Sequence, residues 1–158
     1  MLIEIKEKRT SRIIVAGEYE SVRDCLEKNR RGVCFESADL VGSDLVDANF
    51  AGSNLNGADL RYSNFAGSNL KGADLRYTDL AGIKGYANSH DIFSEIVSRQ
   101  KVELFSDYEW VAIARIIIYR LCWDSIRMRF GDVMPIIFKK LADAGFGEWL
   151  EHWENGVG

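Results

Sequence analysis

The sequence has no long apolar run and no excess of basic residues. It contains no stretch of about 18 apolar residues, and its first four residues, Met1 to Glu4, do not begin a signal peptide. We therefore expect neither membrane insertion nor secretion, and we expect a cytoplasmic location. The formal net charge is -4, whereas counterion release on nucleic acid requires a basic surface. Direct binding of nucleic acid is not expected.

The residue clusters that support catalysis or metal binding are also missing. The three cysteines are scattered without ligand spacing, which favours reduced, partly buried thiols over a disulfide framework. No glycine-rich phosphate loop, CxxC or HExxH motif is present. Ser89, His90 and Asp91 are consecutive, so they cannot converge as a catalytic triad. We predict no catalytic residues, no cofactor and no metal site.

A strict period of five residues runs from position 38 to position 82. A small residue is followed by Asp or Asn and then by Leu or Phe, nine times without a slip. The large apolar residues of this series are Leu40, Leu45, Phe50, Leu55, Leu60, Phe65, Leu70, Leu75 and Leu80. Disordered segments lack a large apolar residue in such register. The series therefore predicts a folded repeat.

A period of five fits neither a helix nor a continuous strand. A helix would rotate successive Leu/Phe residues by roughly 140°, and a strand would send them to opposite faces. Each pentad is therefore predicted to be an extended piece and a bend, stacked on its neighbours. The small residue and the Leu/Phe point inward, while the Asp/Asn can bond the turn backbone. The fifth place is the bend, where glycine is frequent because φ is positive.

This motif resembles that of the pentapeptide-repeat proteins. Residues 58–62, Ala-Asp-Leu-Arg-Tyr, and residues 73–77, with the same sequence, match it closely. The resemblance implies a right-handed quadrilateral β-solenoid with four pentads per coil. Some members of the family inhibit DNA gyrase by imitating DNA with a long acidic rod, and many others have no known task. The resemblance is specific for the fold and does not settle the function.

The flanks of the repeat differ from it, which predicts three parts. Residues 1–33 are expected to cap the solenoid with a β-hairpin and a helix that begins after Ser21 and ends at Gly32. Residues 34–83 form the pentapeptide-repeat solenoid. Residues 84–158 form a C-terminal helical module. The N-terminal part is expected to cover the open coil edge, which would otherwise invite aggregation.

Capping signals and apolar spacing predict four or five helices in the C-terminal module. Ser106 and Glu109 form a capping box, and Pro135 suits the first turn of a later helix. The predicted inner face of the helix after Ser106 consists of Trp110, Ile113, Ala114, Ile117 and Leu121. The last helix carries Phe146, Trp149, Leu150 and Trp153 on one face.

Four pentads per coil, taken from the resemblance, place Asp39, Asp59 and Asp79 in one acidic column. Arg61 could pair with Asp59 or with Asp79. The alternative is that Asp or Asn fills this place only to bond its turn, with Arg61 in an exposed ion pair of little value.

Further candidate contact residues lie in a 15-residue duplication and in the last helix. The duplication repeats an Arg-Tyr pair, which is typical of contact residues and equally consistent with solvated corners. The tryptophans of the last helix are either core or a dimer or partner contact. These candidates are Arg61, Tyr62, Arg76, Tyr77, Trp149 and Trp153.

The favoured function is a non-enzymatic protein-binding scaffold that occupies or inhibits a cytosolic partner, such as a host or defence factor. One solenoid face offers under roughly 200 Å², against about 800 Å² per partner in stable interfaces, so the helical module must share the contact. The alternative is a DNA mimic that inhibits DNA gyrase or another DNA-binding protein. An enzyme hidden in the helical module is less favoured, and a homodimer through the C-terminal helices stays open.

Overall fold

The computed structural model describes residues 1–29 and 34–156. The chain divides into two compact units, Met1–Asp91 and Ile92–Gly158. The first unit contains the N-terminal segment and the repeats together. The three-part division of the sequence stays a prediction, and the predicted helix end at Gly32 lies outside the described residues.

The first unit begins with the predicted hairpin and helix. Strands β1 (Leu2–Lys6) and β2 (Ile13–Glu18) pair antiparallel, and within residues 1–29 and 34–156 they form the only sheet. Helix α1 spans Val22–Asn29, and the Ser21 hydroxyl accepts a hydrogen bond from the Asp24 N–H at 3.1 Å. The hairpin and the Ser21 cap are confirmed.

The repeats stack with a period of 20 residues. Parallel bridges join residues 20 apart, from Asp39–Asp59 through Asn64–Lys84. The Leu40 N–H, for example, donates to the Asp59 carbonyl at 2.9 Å. Four pentads therefore make one coil. The pairing consists of isolated bridges, not of regular strands, and the right hand of the coil stays a prediction.

The inward pattern of the pentads is confirmed. All nine Leu and Phe residues of the series are at most 3% exposed, and Phe35 extends the series by one pentad at its start. Phe50 and Phe65 meet edge to face, with ring centroids 6.5 Å apart. Each such side chain contributes about 1.5–3 kcal/mol when it is buried, so the column of apolar residues is the main stabilising element of the first unit.

The coil ladder continues two residues past the predicted end of the pentads. Lys84 bridges Asn64, and Gly85 follows where the pattern calls for Leu or Phe. Gly85 has a φ of +71°, and a Cβ at this position would lie 2.3 Å from the Ala66 nitrogen. Close backbone approach therefore requires glycine here.

The second unit is helical. Its boundary cuts helix α2 (His90–Ser98), which is followed by a 3-10 turn at Val102–Leu104. The remaining helices are α3 (Asp107–Tyr119), α4 (Trp123–Phe130), α5 (Met134–Asp143) and α6 (Glu148–Glu154). None of the helices in the described residues combines the length and the apolar character needed to cross a membrane.

Helix α3 begins as predicted but buries a different face. The Ser106–Glu109 capping box is present in both directions. The buried residues of α3 are Glu109, Ala112, Ile113 and Ile116, whereas Ala114 is exposed and Leu121 lies beyond the helix end. Ile113 of the predicted inner face is buried, and Trp110 and Ile117 are half-buried. The prediction is therefore wrong at Ala114 and Leu121. The reason is that α3 carries apolar residues on all sides, so its contacts, not its periodicity, select the buried face.

Candidate functional site

The three aspartates of the predicted acidic column do stack. Asp39 bridges Asp59, and Asp59 bridges Asp79. Each of them also accepts a hydrogen bond at Oδ1 from the backbone N–H two residues later, as do all nine Asp and Asn residues at this place, at 3.0–3.3 Å. The Asp/Asn place therefore has a structural task in every pentad, which lowers its weight as evidence for a binding column.

Arg61 lies against two members of the column. Its Nε and a terminal nitrogen donate to the two carboxylate oxygens of Asp59 at 2.8 and 2.7 Å, and its Nε is 3.6 Å from Asp79 Oδ2. The hydrogen bond from Arg61 holds the pKa of Asp59 below its usual value, against a smaller opposing effect of burial. One guanidinium thus offsets part of the negative charge of the column.

The second copy of the duplication repeats this geometry. Arg76 donates to both carboxylate oxygens of Asp74 at 2.9 and 2.7 Å, and these hydrogen bonds lower the pKa of Asp74 to about 2. Such exposed pairs add little to stability. The two hydrogen bonds of each pair fix the orientation of the Arg61 and Arg76 guanidinium groups at the surface.

The neighbouring tyrosines occupy the bend of their pentads with left-handed backbone. Tyr62 has a φ of 62° and Tyr77 a φ of 61°, and their exposed fractions are 64% and 80%. A bulky residue in this region is a genuine outlier. At Tyr62 the N–H donates to the Ala81 carbonyl of the next coil at 3.0 Å.

A side chain at the bend lies over the bend of the next coil. The Tyr62 ring covers Gly82, where an added Cβ would lie 2.6 Å from Tyr62 Cδ1. Asp47 covers Gly67 in the same way, with its Oδ1 2.1 Å from the position of such a Cβ. A large residue at one bend therefore requires glycine 20 residues later. Tyr77 is followed 20 residues later by a residue of α2 instead of a pentad, and its ring is the more exposed of the two.

The two tryptophans of α6 have different environments. Trp149 is 1% exposed and meets Phe93 edge to face at 5.3 Å. It therefore belongs to the core, which is one of the two environments that the sequence left open for it, and it is not exposed enough to be a partner contact. Trp153 is half-buried, with the Arg127 guanidinium 4.3 Å from its ring centroid and the Phe138 ring centroid at 5.8 Å.

Two side chains of the N-terminal segment bond backbone groups of the first coil that have no earlier coil to pair with. The sequence did not indicate these residues. The Glu27 carboxylate accepts from the Asn49 N–H at 3.1 Å, and Arg23 donates to the Val46 carbonyl at 2.8 Å. Both side chains come from α1, four residues apart, and therefore from one helix face. The Asp39 N–H donates to the Lys6 carbonyl at 2.7 Å. The predicted covering of the coil edge thus has identified hydrogen bonds.

The second unit contains a partly buried ion pair that the sequence did not indicate. Lys140 Nζ lies 2.8 Å from Glu109 Oε2 and 2.8 Å from the Leu104 carbonyl. Burial alone would raise the pKa of Glu109, but the hydrogen bonds from Lys140 and from the Ser106 N–H lower it overall. The capping box marked Glu109 in the sequence, although no local pattern marked its partner on α5.

The described part of the chain has no group of three or more His, Cys, Asp or Glu side chains that could hold a metal ion. Two pairs of contact-type residues, three pentads apart, remain as candidates in the first unit. They are Arg61 with Tyr62 and Arg76 with Tyr77, and we call these four residues together the Arg-Tyr surface.

Comparison with known proteins finds similarity in the repeats. A family model described as pentapeptide repeats matches residues 31–61 and 53–84, with 8 copies. The crystal structure of a pentapeptide repeat protein, Rfr23, from the cyanobacterium Cyanothece 51142 is 34% identical over 32% of this chain and 37% of that chain, with a TM-score of 0.24. The match thus spans little more than a third of that protein. No curated protein matches the chain.

Proposed function

We propose that this chain, in which residues 31–61 and 53–84 match a model of pentapeptide repeats, is a non-enzymatic scaffold that binds and thereby occupies or inhibits a partner protein. The observation that carries the proposal is the pair of exposed tyrosines held in left-handed backbone. The Arg-Tyr surface is the proposed contact of the first unit. The proposed setting is the cytosol, the proposed partner class is a host or defence protein, and the proposed coil is a right-handed quadrilateral solenoid.

Backbone strain supports a role for the two tyrosines outside the fold. Six of the nine bends hold glycine, which adopts positive φ without a steric penalty. A non-glycine residue there costs about 1 kcal/mol or more, and side chains as exposed as Tyr62 and Tyr77 regain little of it by burial. Strained residues at places where glycine would fit without a penalty are candidates for recognition sites.

The chemistry of this surface suits protein recognition. Tyrosine and arginine dominate the energetically important positions of protein interfaces. Arg61 and Arg76 are already oriented by Asp59 and Asp74, so less side-chain entropy is lost when a partner binds. Their guanidinium charges are partly offset by these aspartates, which disfavours the phosphate backbone of nucleic acid as the partner.

The repeats alone are too small for a stable contact. Two and a half coils at roughly 4.8 Å each are about 12 Å tall, so one face again provides under roughly 200 Å² of the approximately 800 Å² that a stable interface needs on each side. The helical unit is therefore proposed to contribute the larger part of the contact.

The experiment compares capture by wild type with capture by the Tyr62→Gly/Tyr77→Gly double variant. Glycine keeps the positive φ, so the fold should persist while the contact side chains disappear. We expect a stoichiometric protein to be recovered from a cytosolic lysate by the wild type and lost by the double variant. Asp47→Gly is the matched control, because Asp47 also sits at a left-handed bend, and it should retain capture. Equal capture by all three proteins would remove the Arg-Tyr surface from the proposal.

DNA mimicry is the weaker candidate. All three aspartates of the acidic column are engaged in turn hydrogen bonds, and Arg61 neutralises part of their charge. We expect DNA gyrase to supercoil plasmid normally with excess protein present. Inhibition that disappears in an Asp39→Asn/Asp79→Asn variant would reverse this ranking.

A further inference from the structure

Helix α3 exposes an apolar face that its own unit does not use. Tyr119 and Ile118 are 69% and 71% exposed, and Tyr108 and Val111 are also exposed, as are Ala114 and Arg115. Exposed apolar patches of this kind mark interaction sites. The set Tyr108, Val111, Ala114, Arg115, Ile118 and Tyr119 is called the α3 outer face.

Two charges beside the apolar residues have no ion pair within residues 1–29 and 34–156. They are Asp107 at the first position of α3 and Arg115 two turns later. In α1 and at the end of α2, by contrast, charges four residues apart pair with each other, Lys28 with Asp24 and Arg99 with Glu95. Residues four away from Arg115 are Val111 and Tyr119, so α3 offers it no such partner.

The α3 outer face is complementary to itself when it is reversed. Rotation by 180° about a point near residue 113 exchanges Tyr108 with Ile118, and Val111 with Arg115. At a rise of about 1.5 Å per residue, Arg115 then lies about 6 Å along the axis from Asp107 of the second copy, within reach of its long side chain. Ala114, close to the centre, lets the two helices approach.

We propose that the α3 outer face is the interface of a two-fold dimer in which α3 helices of two copies pack antiparallel. A two-fold contact uses the same patch on both subunits, so one self-complementary face is sufficient. Antiparallel packing also places the positive N-terminal end of each helix dipole beside the negative C-terminal end of the other. Each Arg115 pairs with Asp107 across the interface.

The size of the face sets the strength of the contact. A helix of 13 residues is about 20 Å long and about 10 Å wide, so its footprint is roughly 200 Å². Interfaces well below about 800 Å² per partner are weak. The dimer is therefore expected to dissociate on dilution. It does not use the Arg-Tyr surface and is independent of the function proposed above.

Sedimentation velocity of the full chain over a wide concentration range tests the proposal. We expect a species of 17.9 kDa at low concentration and a shift toward twice that mass at high concentration. Ile118→Glu should abolish the shift, because it places charge on the apolar face. Met128→Glu is the matched control, since Met128 is 78% exposed on α4, and it should still dimerise. A monomer at every concentration, or a dimer that survives Ile118→Glu, overturns the proposal and leaves another protein as the occupant of the face.

Charge reversal tests the antiparallel register. Asp107→Arg and Arg115→Asp should each be monomeric alone, because every cross-interface pair then joins like charges. Mixed in equal amounts they should form a heterodimer, because both pairs join opposite charges again. Circular dichroism confirms that each variant is folded. If Asp107→Arg disturbs the start of the helix, Val111→Arg replaces it, since it sets two arginines against each other and should also be monomeric. A dimer of either single variant, or no heterodimer from two folded variants, overturns the register.

Discussion

The repeats and the helical unit bury their side chains under different rules. In the repeats the place within the pentad decides whether a side chain is buried. Leu55, Leu60 and Phe65 are all buried because they occupy the same place, and the carbonyl of each accepts a hydrogen bond from the N–H three residues later. In α3 the apolar residues lie on every side, and contacts from elsewhere in the chain decide that Ile116 is buried and Ile118 is exposed. A repeating backbone ladder gives equivalent positions the same degree of burial, whereas in a packed helix the burial of each position depends on its own contacts.

The largest expected effect tests the equivalence of positions in the repeats. Leu55→Ala and Leu60→Ala should each lower the free energy of unfolding by about 3 kcal/mol, because both side chains are fully buried and leave a cavity. The two losses should be nearly equal, as measured by urea denaturation. Ile136→Ala on α5, where half of the side chain is exposed, should cost less than about 1 kcal/mol. Clearly unequal losses at the two leucines would break the rule of equivalent places.

A second prediction concerns the individual character of the helical unit. Glu109→Gln should lower the free energy of unfolding by about 2 kcal/mol, because the mostly buried Lys140 ammonium loses its carboxylate partner. Exposed Glu103→Gln is the control and should change it little.

The same pair predicts a pH dependence. The pKa of Glu109 is lower in the folded state than its ordinary value of 4.5. The unfolded state therefore binds the proton more readily. The stabilisation by Glu109 is fully present above pH 4.5 and is lost as pH falls through the lowered folded pKa. Thermal unfolding of Glu109→Gln between pH 6 and pH 3 should lack this part of the acid loss, and an unchanged acid limb would show that the pair does not stabilise the fold.

The contrast also explains how much could be predicted from sequence. The Leu/Phe column, the hairpin and the Ser106 cap depend on residues close in the chain or on a strict repeat, so they could be predicted. Contacts such as Glu109 with Lys140 and Asn49 with Glu27 join residues 31 and 22 positions apart. No pattern in a single sequence encodes such pairs, because Glu27, Glu109 and Lys140 each resemble an ordinary surface charge.

Part of the candidate site could be predicted from the sequence and part could not. The stacking of Asp39, Asp59 and Asp79 followed from the coil length implied by the family resemblance, and Arg61 was expected to pair with them. The backbone strain at Tyr62 could have been predicted, because tyrosine occupies a place in the pentad that is otherwise mostly glycine. The burial of Trp149 was one of two outcomes left open, since amphipathic spacing does not separate a core residue from a contact residue.

A third prediction examines the bends of the repeats. Gly72→Ala should cost about 1 kcal/mol, because φ is +71° although the space is open. Gly82→Ala should cost about 1 kcal/mol more, since the new Cβ would displace the Tyr62 ring. The extra cost should vanish when Gly82→Ala is made in a Tyr62→Gly background, as a double-mutant cycle measures. An extra cost that persists there would show that the ring is not its cause.

A fourth prediction asks whether the cap acts as an additional coil. Glu27→Ala should lower the free energy of unfolding by about 1 kcal/mol, because the Asn49 N–H loses its acceptor. Lys28→Ala, on the same helix in an exposed pair with Asp24, should change it little. Amide exchange at Asn49 should accelerate in the first variant and not in the second. Equal exchange rates would mean that Glu27 does not cover the coil edge.

The smallest expected effect separates the two tyrosines, which occupy equivalent places with different surroundings. Tyr77→Gly should raise the free energy of unfolding by about 0.5–1 kcal/mol, because it relieves a left-handed conformation of a side chain that is 80% exposed. Tyr62→Gly should raise it less, since the ring that covers Gly82 is lost as well. Asp47→Gly provides the comparison with a small side chain at the same kind of bend. A gain in stability at Tyr77 would mean that the fold alone favours glycine there, so that the tyrosine serves an interaction outside the chain, whereas a loss would show that its ring stabilises the repeats.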